Sequence, residues 1–265
     1  KDERFLKLKV ALPFLSSKRL ELGFGIAQIE DRYFQNNVID FDKDKYDKSG
    51  YRLFGGSVSF NGSTLNSRQF PIQGAREALV AQIFTGNESF RPGVNSENKK
   101  PVKEKHSWLQ LSYMKEKYHK MGANWILGWY LDAVYASKNF SENYTATMMQ
   151  ASEFAPTAHS KLTYNEAFRA NQYVAAGIRP IYRLNQMFHV RGEFYGFLPI
   201  FPIERNSINK AYYGKAFSRF EYLGEISVVC QLPFGAISAY VNHYSSPRRE
   251  WNVGLTLGWQ LFNYR

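Results

Sequence analysis

The sequence predicts an all-β fold, and more specifically an antiparallel transmembrane β-barrel. Three observations lead to this prediction. The last strand-like segment alternates strictly between apolar and polar residues, and short and long connections alternate along the chain. A membrane-crossing helix would need roughly 20 consecutive apolar residues, and the sequence contains no such run. These observations favour strands that each expose one apolar face.

The C-terminal segment carries the clearest pattern. Its apolar positions are Trp251, Val253, Leu255, Leu257, Trp259 and Leu261, and its intervening positions are Asn252, Gly254, Thr256, Gly258 and Gln260. Because successive strand residues point to opposite faces, the pattern predicts one face in an apolar medium. Tryptophans near both ends of the apolar row are typical of the aromatic belts at membrane boundaries. We predict that the apolar set faces lipid, with Asn252, Thr256 and Gln260 inside.

The same period of two recurs along the chain. The predicted strands are residues 5–14, 20–26, 51–60, 74–88, 105–117, 125–137, 172–184, 187–197, 222–232, 236–244 and 251–261. These are about eleven strands of the length that a barrel uses, at ~9–11 residues per crossing. Bacterial barrels have even strand numbers. The count therefore predicts the C-terminal ~11 strands of a larger barrel, so that residues 1–265 form one N-terminally incomplete outer-membrane domain.

The connections between these strands alternate in length. The short ones are residues 15–18, 66–73, 120–124, 185–186 and 233–235, and the long ones are residues 35–50, 89–104, 138–171 and 200–220, with 245–249 shorter. Short turns on one rim and long loops on the other are typical of periplasmic turns and extracellular loops. A soluble sandwich does not alternate so regularly.

Composition excludes several function classes. The net charge of +11 invites a nucleic-acid interpretation, but the basic residues are scattered and no nucleic-acid-binding motif occurs. Attraction to anionic lipid headgroups or a charged barrel interior explains this charge. The single cysteine, Cys230, excludes an internal disulfide and a thiolate metal cluster. The histidines show no metal-ligand spacing, and we predict no cofactor and no metal.

The turn within residues 60–76 points to a family. Asn66, Arg68, Pro71 and Gly74 resemble the periplasmic turn signature of the BamA/TamA superfamily of surface-antigen barrels, with Asn66 replacing an acidic residue. In that signature an Asx-Thr/Ser-Arg turn ends one strand, and a Pro-x-x-Gly-x-Arg step starts the next. Pro71 fixes a φ angle and Gly74 permits a tight re-entry.

The whole chain also resembles the C-terminal barrel of patatin-like phospholipases of Bacteroidetes. The segments that carry this resemblance are residues 31–35, 85–93, 154–160 and 233–235 with the following strand. In that family a patatin lipase domain and a small periplasmic domain precede a barrel of sixteen strands. The resemblance implies a bacterial outer-membrane protein whose partners are outer-membrane lipid, an N-terminal periplasmic or lipase domain of the same protein, and assembly-machinery subunits.

The catalytic half of such a lipase is not in this sequence. Patatins use a Gly-x-Ser-x-Gly nucleophile elbow, and no such motif occurs here. Gly55-Gly56-Ser57 lies inside a predicted strand and lacks the second glycine. We therefore assign no catalytic residue. The leading hypothesis is a barrel that anchors, orients or exports an N-terminal domain; the alternatives are an outer-membrane protein assembly factor and a porin or transporter.

The longest loop, residues 138–171, is predicted to enter the lumen. Its Phe168-Arg169-Ala170 tip resembles the tip of the sixth extracellular loop in the BamA/TamA superfamily, and Met148, Met149 and Phe154 are unusual in an exposed loop. The resemblance implies that Arg169 reaches an acidic residue on the inner wall, and Glu193 is the predicted partner. The bland alternative is a solvated Arg169. On the same strand as Glu193, His189, Arg191 and Tyr195 are predicted to face inwards as ordinary lumen residues.

Overall fold

The computed structural model describes residues 2–35, 46–94, 96, 98–246 and 251–259. The long strands are β1 (Asp2–Leu15), β2 (Lys18–Tyr33), β3 (Asp47–Ser63), β4 (Gly74–Arg91), β5 (Val102–Lys120), β6 (Trp125–Ala136), β9 (Gln172–Arg183), β10 (Phe188–Pro199), β13 (Glu221–Leu232), β14 (Gly235–Tyr244) and β15 (Trp251–Trp259). The shorter elements are α1 (Tyr144–Gln150), β7 (Ser152–Glu153), a 3-10 turn (Glu166–Phe168), β8 (Arg169–Ala170), β11 (Ile203–Arg205) and β12 (Ala211–Tyr213).

The long strands form one antiparallel sheet of 11 strands in the order β1-β2-β3-β4-β5-β6-β9-β10-β13-β14-β15. Each predicted strand coincides with one of them, which confirms the all-β class. Short and long connections alternate elsewhere, but the β3–β4 and β4–β5 connections, residues 64–73 and 92–101, are equally long because β4 and β5 extend beyond their predicted bounds. In the described residues β1 and β15 are the two edges, and the sheet is not closed. The helices of the described segments are too short and too polar to cross a membrane.

Several strands extend beyond the predicted bounds. The residues of β2 beyond Ile26 keep pairing with β3, and Arg32 lies opposite Lys48. The apolar row ends at Ile26 because Gln28, Glu30 and Arg32 follow on the same face. The row of apolar residues therefore ends at Ile26, whereas the backbone pairing of β2 with β3 continues to Tyr33. Likewise, the predicted loop 200–220 contains the β11–β12 hairpin.

The two faces of the sheet differ in polarity. One face, here called the exposed face, carries Val253, Leu255 and Leu257 of β15, which are 79%, 80% and 72% exposed. Cross-strand partners keep this face apolar from edge to edge; for example, Leu22 of β2 lies opposite Val10 of β1 and Val58 of β3. Asn252 and Thr256 are partly buried on the other face. Gln260, Leu261 and the side chain of Trp259 lie outside the described part of the chain.

The opposite face, here called the covered face, is polar and is largely buried on the inner strands, whereas on the edge strand β1 it is exposed. Its buried side chains include Glu88, His106, Glu116, Arg179, His189, Arg191, Glu193, Glu225, Ser227 and Asn242. Buried polar groups must be hydrogen-bonded to avoid a desolvation cost. The covered face therefore carries the interactions that hold the molecule together.

Contacts across the covered face show that the sheet is strongly curled. A Cβ added to Gly258 of β15 would overlap the side chain of Gln69, in the turn between β3 and β4. Seven strand spacings separate β4 from β15, or about 34 Å in a flat sheet at ~4.8 Å per strand. Gln69 lies five residues before Gly74 and reaches at most about 18 Å along the backbone. A flat sheet could not bring these residues together.

The turn at residues 64–73 has the geometry that its sequence predicts. Asn66 Oδ1 accepts hydrogen bonds from the backbone N–H groups of Ile72 and Gln73, each at 3.0 Å. Gly74 has φ +93°, and a Cβ there would overlap the carbonyl oxygen of Thr64. Arg68 is exposed. Asn66 therefore stabilises the turn through its side chain, and Gly74 is the residue type that the backbone conformation at position 74 accepts.

We expect Gly74→Ala to destabilise the protein by about 1–3 kcal/mol, because alanine is strained at positive φ and its methyl group would clash. The matched control is Gly122→Ala in the turn between β5 and β6, where an added Cβ has no neighbour within 4 Å. Denaturant unfolding in detergent measures both changes. Equal stability of the two variants would contradict the role given to Gly74.

Candidate functional site

The centre of the covered face is a cluster of charged and tyrosine side chains, here called the wall cluster. It comprises Glu116 and Tyr118 of β5, Arg179 of β9, and Arg191, Glu193 and Tyr195 of β10. β10 brings His189, Arg191, Glu193 and Tyr195 to one face because they lie at period two, and all four are buried. This confirms the prediction that they share a face.

Arg191 connects the wall to the β3–β4 turn. Its Nε is ion-paired with Glu193, its Nη1 donates to the carbonyl of Pro71 at 2.8 Å, and its Nη2 donates to Tyr118 at 2.9 Å. The guanidinium thus uses three of its nitrogens on three different elements of the fold. Because the Arg191 side chain is only 2% exposed, each of these hydrogen bonds offsets the cost of removing the charge from water.

Arg179 completes the cluster from the neighbouring strand. It is ion-paired with Glu116, and its Nε lies 3.7 Å from Glu193 and donates to Tyr195 at 2.7 Å. Two arginines therefore face two carboxylates, and the formal charges cancel. Tyr118 accepts from both arginines, through Arg179 Nη1 at 2.6 Å and Arg191 Nη2 at 2.9 Å.

Glycines make room for the tyrosine rings of the cluster. A Cβ on Gly177 of β9 would overlap the ring of Tyr195, which lies opposite it on β10. The ring also contacts Tyr130 edge-on at 5.7 Å. Gly177 is therefore a position where a neighbouring side chain approaches the backbone closely.

The loop at residues 137–171 covers the half of this face nearer the long connections. Phe154 contacts the rings of Tyr130, Tyr173, Tyr195 and Phe197, and Phe168 contacts Phe197 and Tyr244. Both phenylalanines are 2% exposed. Burying such rings stabilises by ~1.5–3 kcal/mol each. The loop is therefore packed against the sheet and is not extended into solvent.

Polar contacts extend the loop from one side of the sheet to the other. Gln150 donates to Asp31 of β2 at 2.7 Å, and Asn143 donates to Tyr33 at 2.8 Å. On the far side, His159 Nδ1 lies 2.8 Å from the hydroxyl of Tyr244 on β14. Burial lowers the pKa of His159, so the imidazole is neutral near pH 7. The loop thus links β2 to β14.

Arg169 holds the C-terminal end of this loop against its middle. Its Nη2 donates to Glu153 at 2.7 Å, across the β7–β8 pair. Its Nη1 lies 3.3 Å from the carbonyl oxygens of Met149 and Ala151, at the end of α1. A cation near the last carbonyls of a helix is favourable. The ring of Tyr164 lies below the guanidinium, 4.6 Å from its carbon.

The prediction that Arg169 pairs with Glu193 is therefore wrong. Glu193 is engaged by Arg191 and Arg179, whereas Arg169 pairs with Glu153 of its own loop. The physical reason is local, because the β7–β8 ribbon places residues 153 and 169 directly opposite each other. Sequence reasoning did not identify Glu153. The period-two alternation of Ser152–Glu153 and Arg169–Ala170 is too short to reveal a pair.

The wall cluster is built to hold structure. Its arginines donate hydrogen bonds to its carboxylates and tyrosines, so the positive and negative charges are paired with one another. The scan against family models and the search of curated proteins found no match for this chain. Its function is therefore inferred from the two faces of the sheet and from the loop.

Two isosteric substitutions should distinguish the two arginine sites. We expect Glu193→Gln to cost about 3–5 kcal/mol, because it leaves a buried arginine without its counter-ion. Glu153→Gln should cost less than about 1 kcal/mol, because the Glu153 side chain is 32% exposed and water screens the pair. Denaturant titrations in detergent provide both values.

A double-mutant cycle then tests the correction directly. Substitution of Arg169 and Glu193 together should give additive losses of stability, since the two side chains share no hydrogen bond or ion pair. A coupling energy above about 1 kcal/mol would show that the two residues interact after all.

Proposed function

We propose that this chain is a transmembrane β-barrel domain of the bacterial outer membrane, of the BamA/TamA type. Its role is to anchor, and to orient or export, an N-terminal lipase or periplasmic domain of the same protein. The observation that carries the proposal is the polarity of the sheet. The apolar face is exposed from β1 to β15, and the polar face is the covered one.

This polarity is the reverse of that of a water-soluble sheet. A soluble antiparallel sheet packs its apolar face on the core and presents the polar face to water. A contiguous apolar surface over 11 strands far exceeds the few hundred Å² that soluble monomers expose. Hydrocarbon is the solvent in which such a face is stable.

Aromatic residues at both ends of the exposed face support the same proposal. Near the long-loop end, the ring of His243 contacts Tyr222 at 6.0 Å and Trp251 at 4.9 Å. Near the short-turn end, Trp125 contacts Tyr182 at 4.9 Å. Aromatic girdles of this kind lie at the two interfaces of a membrane barrel.

The open edges require further strands. Unpaired backbone groups of β1 and β15 would be costly in hydrocarbon, where no water can satisfy them. We propose that additional strands of the parent protein close the sheet into a barrel of sixteen. The strong curl deduced from the Gln69–Gly258 proximity is consistent with closure.

The packed loop favours an anchor over a porin. Residues 137–171 cover the polar face and bury Phe154 and Phe168 against it. A porin needs a water-filled lumen. The packed loop fits an assembly factor equally well, and an assembly factor is therefore the second candidate.

The orientation of β15 is tested by two neighbouring substitutions. We expect Leu255→Arg to cost ~2–4 kcal/mol, because Leu255 lies midway between the ends of β15 and would place its charge near the bilayer midplane. Thr256→Arg is the matched control and should be much milder, since Thr256 lies on the covered face. Refolding titrations into lipid vesicles give both values, and equal tolerance would exclude the orientation.

The proposed role is tested in cells and in planar bilayers. Expressed from its complete coding sequence, the protein should fractionate with the outer membrane, and deletion of the barrel should release its N-terminal domain into the periplasm. Loss of other outer-membrane proteins on depletion would instead favour the assembly factor. Large, stable ion currents from the purified protein would favour the porin and would contradict the anchor.

A further inference from the structure

A second group of ionisable side chains lies on the covered face, near the long-loop end of β4 and β5. Glu88 and Glu104 are directly opposite each other across these strands, and His106 lies two residues further along β5. Each of the three offers a ligand atom, and these atoms all lie within 4.8 Å of one another. The group is separate from the wall cluster and shares no residue with it.

The arrangement is unfavourable without a further cation. Like charges directly opposite in an antiparallel pair destabilise a sheet. Glu88 is 1% exposed, so water cannot screen its charge, whereas Glu104 is exposed. The imidazole of His106 gives Glu88 one hydrogen bond. The ammonium of Lys138 lies nearby, 5.9 Å from the ring of Tyr51, so two carboxylates share one lysine. The cluster therefore favours additional positive charge.

The imidazole of His106 points to the nature of that charge. Its Nε2 lies 2.8 Å from Glu88 Oε2, and its Nδ1 has no hydrogen-bond partner in the described part of the chain. The side chain is only 3% exposed. Because Nε2 faces Glu88, Nε2 is the nitrogen that would bind an ion shared with Glu88, and Nδ1–H would remain as a donor, as in most metal-bound histidines.

We propose that Glu88, Glu104 and His106 bind a divalent transition-metal ion of the Zn²⁺ class. Donors on one tetrahedral Zn²⁺ lie about 3.3–3.6 Å apart, given metal–ligand bonds of ~2.0–2.2 Å. Glu88 Oε2 and His106 Nε2, which lie 2.8 Å apart, would separate by about 0.5–0.8 Å to reach that spacing, and the exposed Glu104 side chain would move towards them. The nitrogen donor favours Zn²⁺ over Ca²⁺ and Mg²⁺, which prefer oxygen ligands.

The position of the site gives the metal a structural role. Glu88 Oε1 accepts from the hydroxyl of Tyr51 on β3 at 3.2 Å and from the backbone N–H of Glu142, in the long loop, at 3.4 Å. The same hydroxyl lies 2.9 Å from that of Ser141 in the loop, which donates to the tyrosine oxygen. An ion bound to Glu88 would hold in place the carboxylate that accepts a hydrogen bond from the loop. Metal binding would therefore stabilise residues 137–171 in their packed position against the sheet.

The experiment is calorimetric titration of ZnCl₂ into the untagged, EDTA-treated protein in detergent micelles. We expect one Zn²⁺ per chain, and Glu104→Gln should weaken binding about tenfold or more. Because Glu104 is exposed, this variant is expected to fold. His106→Asn should weaken binding at least as much, and CoCl₂ should give a visible absorption band that both substitutions remove.

Matched controls are Glu204→Gln and His119→Asn, which lie outside the cluster and should leave the affinity unchanged. With Zn²⁺ bound, limited proteolysis within residues 137–171 should slow, and the slowing should be absent in Glu104→Gln. The proposal is overturned by no stoichiometric binding, by equal affinity in Glu104→Gln, or by Ca²⁺ displacing Zn²⁺ at equal concentration. None of these results depends on whether the protein anchors, assembles or conducts.

Discussion

The ion-paired contact between Arg191 and Glu193 is the interaction on which the covered face depends. Arg191 joins β10, the tyrosine of β5 and the carbonyl of Pro71 in the β3–β4 turn, which are far apart in sequence. The hydrogen bond from Arg191 to Pro71 can exist only if the sheet curls far enough to bring the turn beneath β10. Buried charge therefore fixes the curvature, because a guanidinium that lost these partners would be left desolvated.

The same reasoning explains why the sheet has one polar and one apolar face. The exposed face contributes little internal packing, so cohesion must come from the covered face. There, two kinds of contact act at different positions. The wall cluster joins strands and turn by charge, whereas Phe154 and Phe168 join the long loop to the sheet by burial of aromatic rings. The two groups meet at Tyr195, whose ring contacts Phe154 and whose hydroxyl is hydrogen-bonded within the wall cluster.

The long loop has an internal organisation that is independent of the wall. Arg169 binds Glu153 and the last carbonyls of α1, so the C-terminal end of the loop is tied to its middle. The loop then contacts the sheet through separate anchors, at Asp31 on β2 and at Tyr244 on β14. A pre-organised loop loses less conformational entropy when it packs against the sheet, which is consistent with a permanent cover.

The sequence by itself determined the strands and their faces. Alternation such as Val253, Leu255 and Leu257 against Asn252 and Thr256 is a local property, because the period of a strand is fixed by backbone geometry. The Asn66 and Gly74 turn was equally local. Tertiary structure alone decided the partners of the charges. Arg169 pairs with Glu153, and Glu88 lies against His106, because loop paths and strand register bring distant residues together. The sequence of one strand does not reveal its register against the neighbouring strand, so these pairs could not be predicted from the sequence.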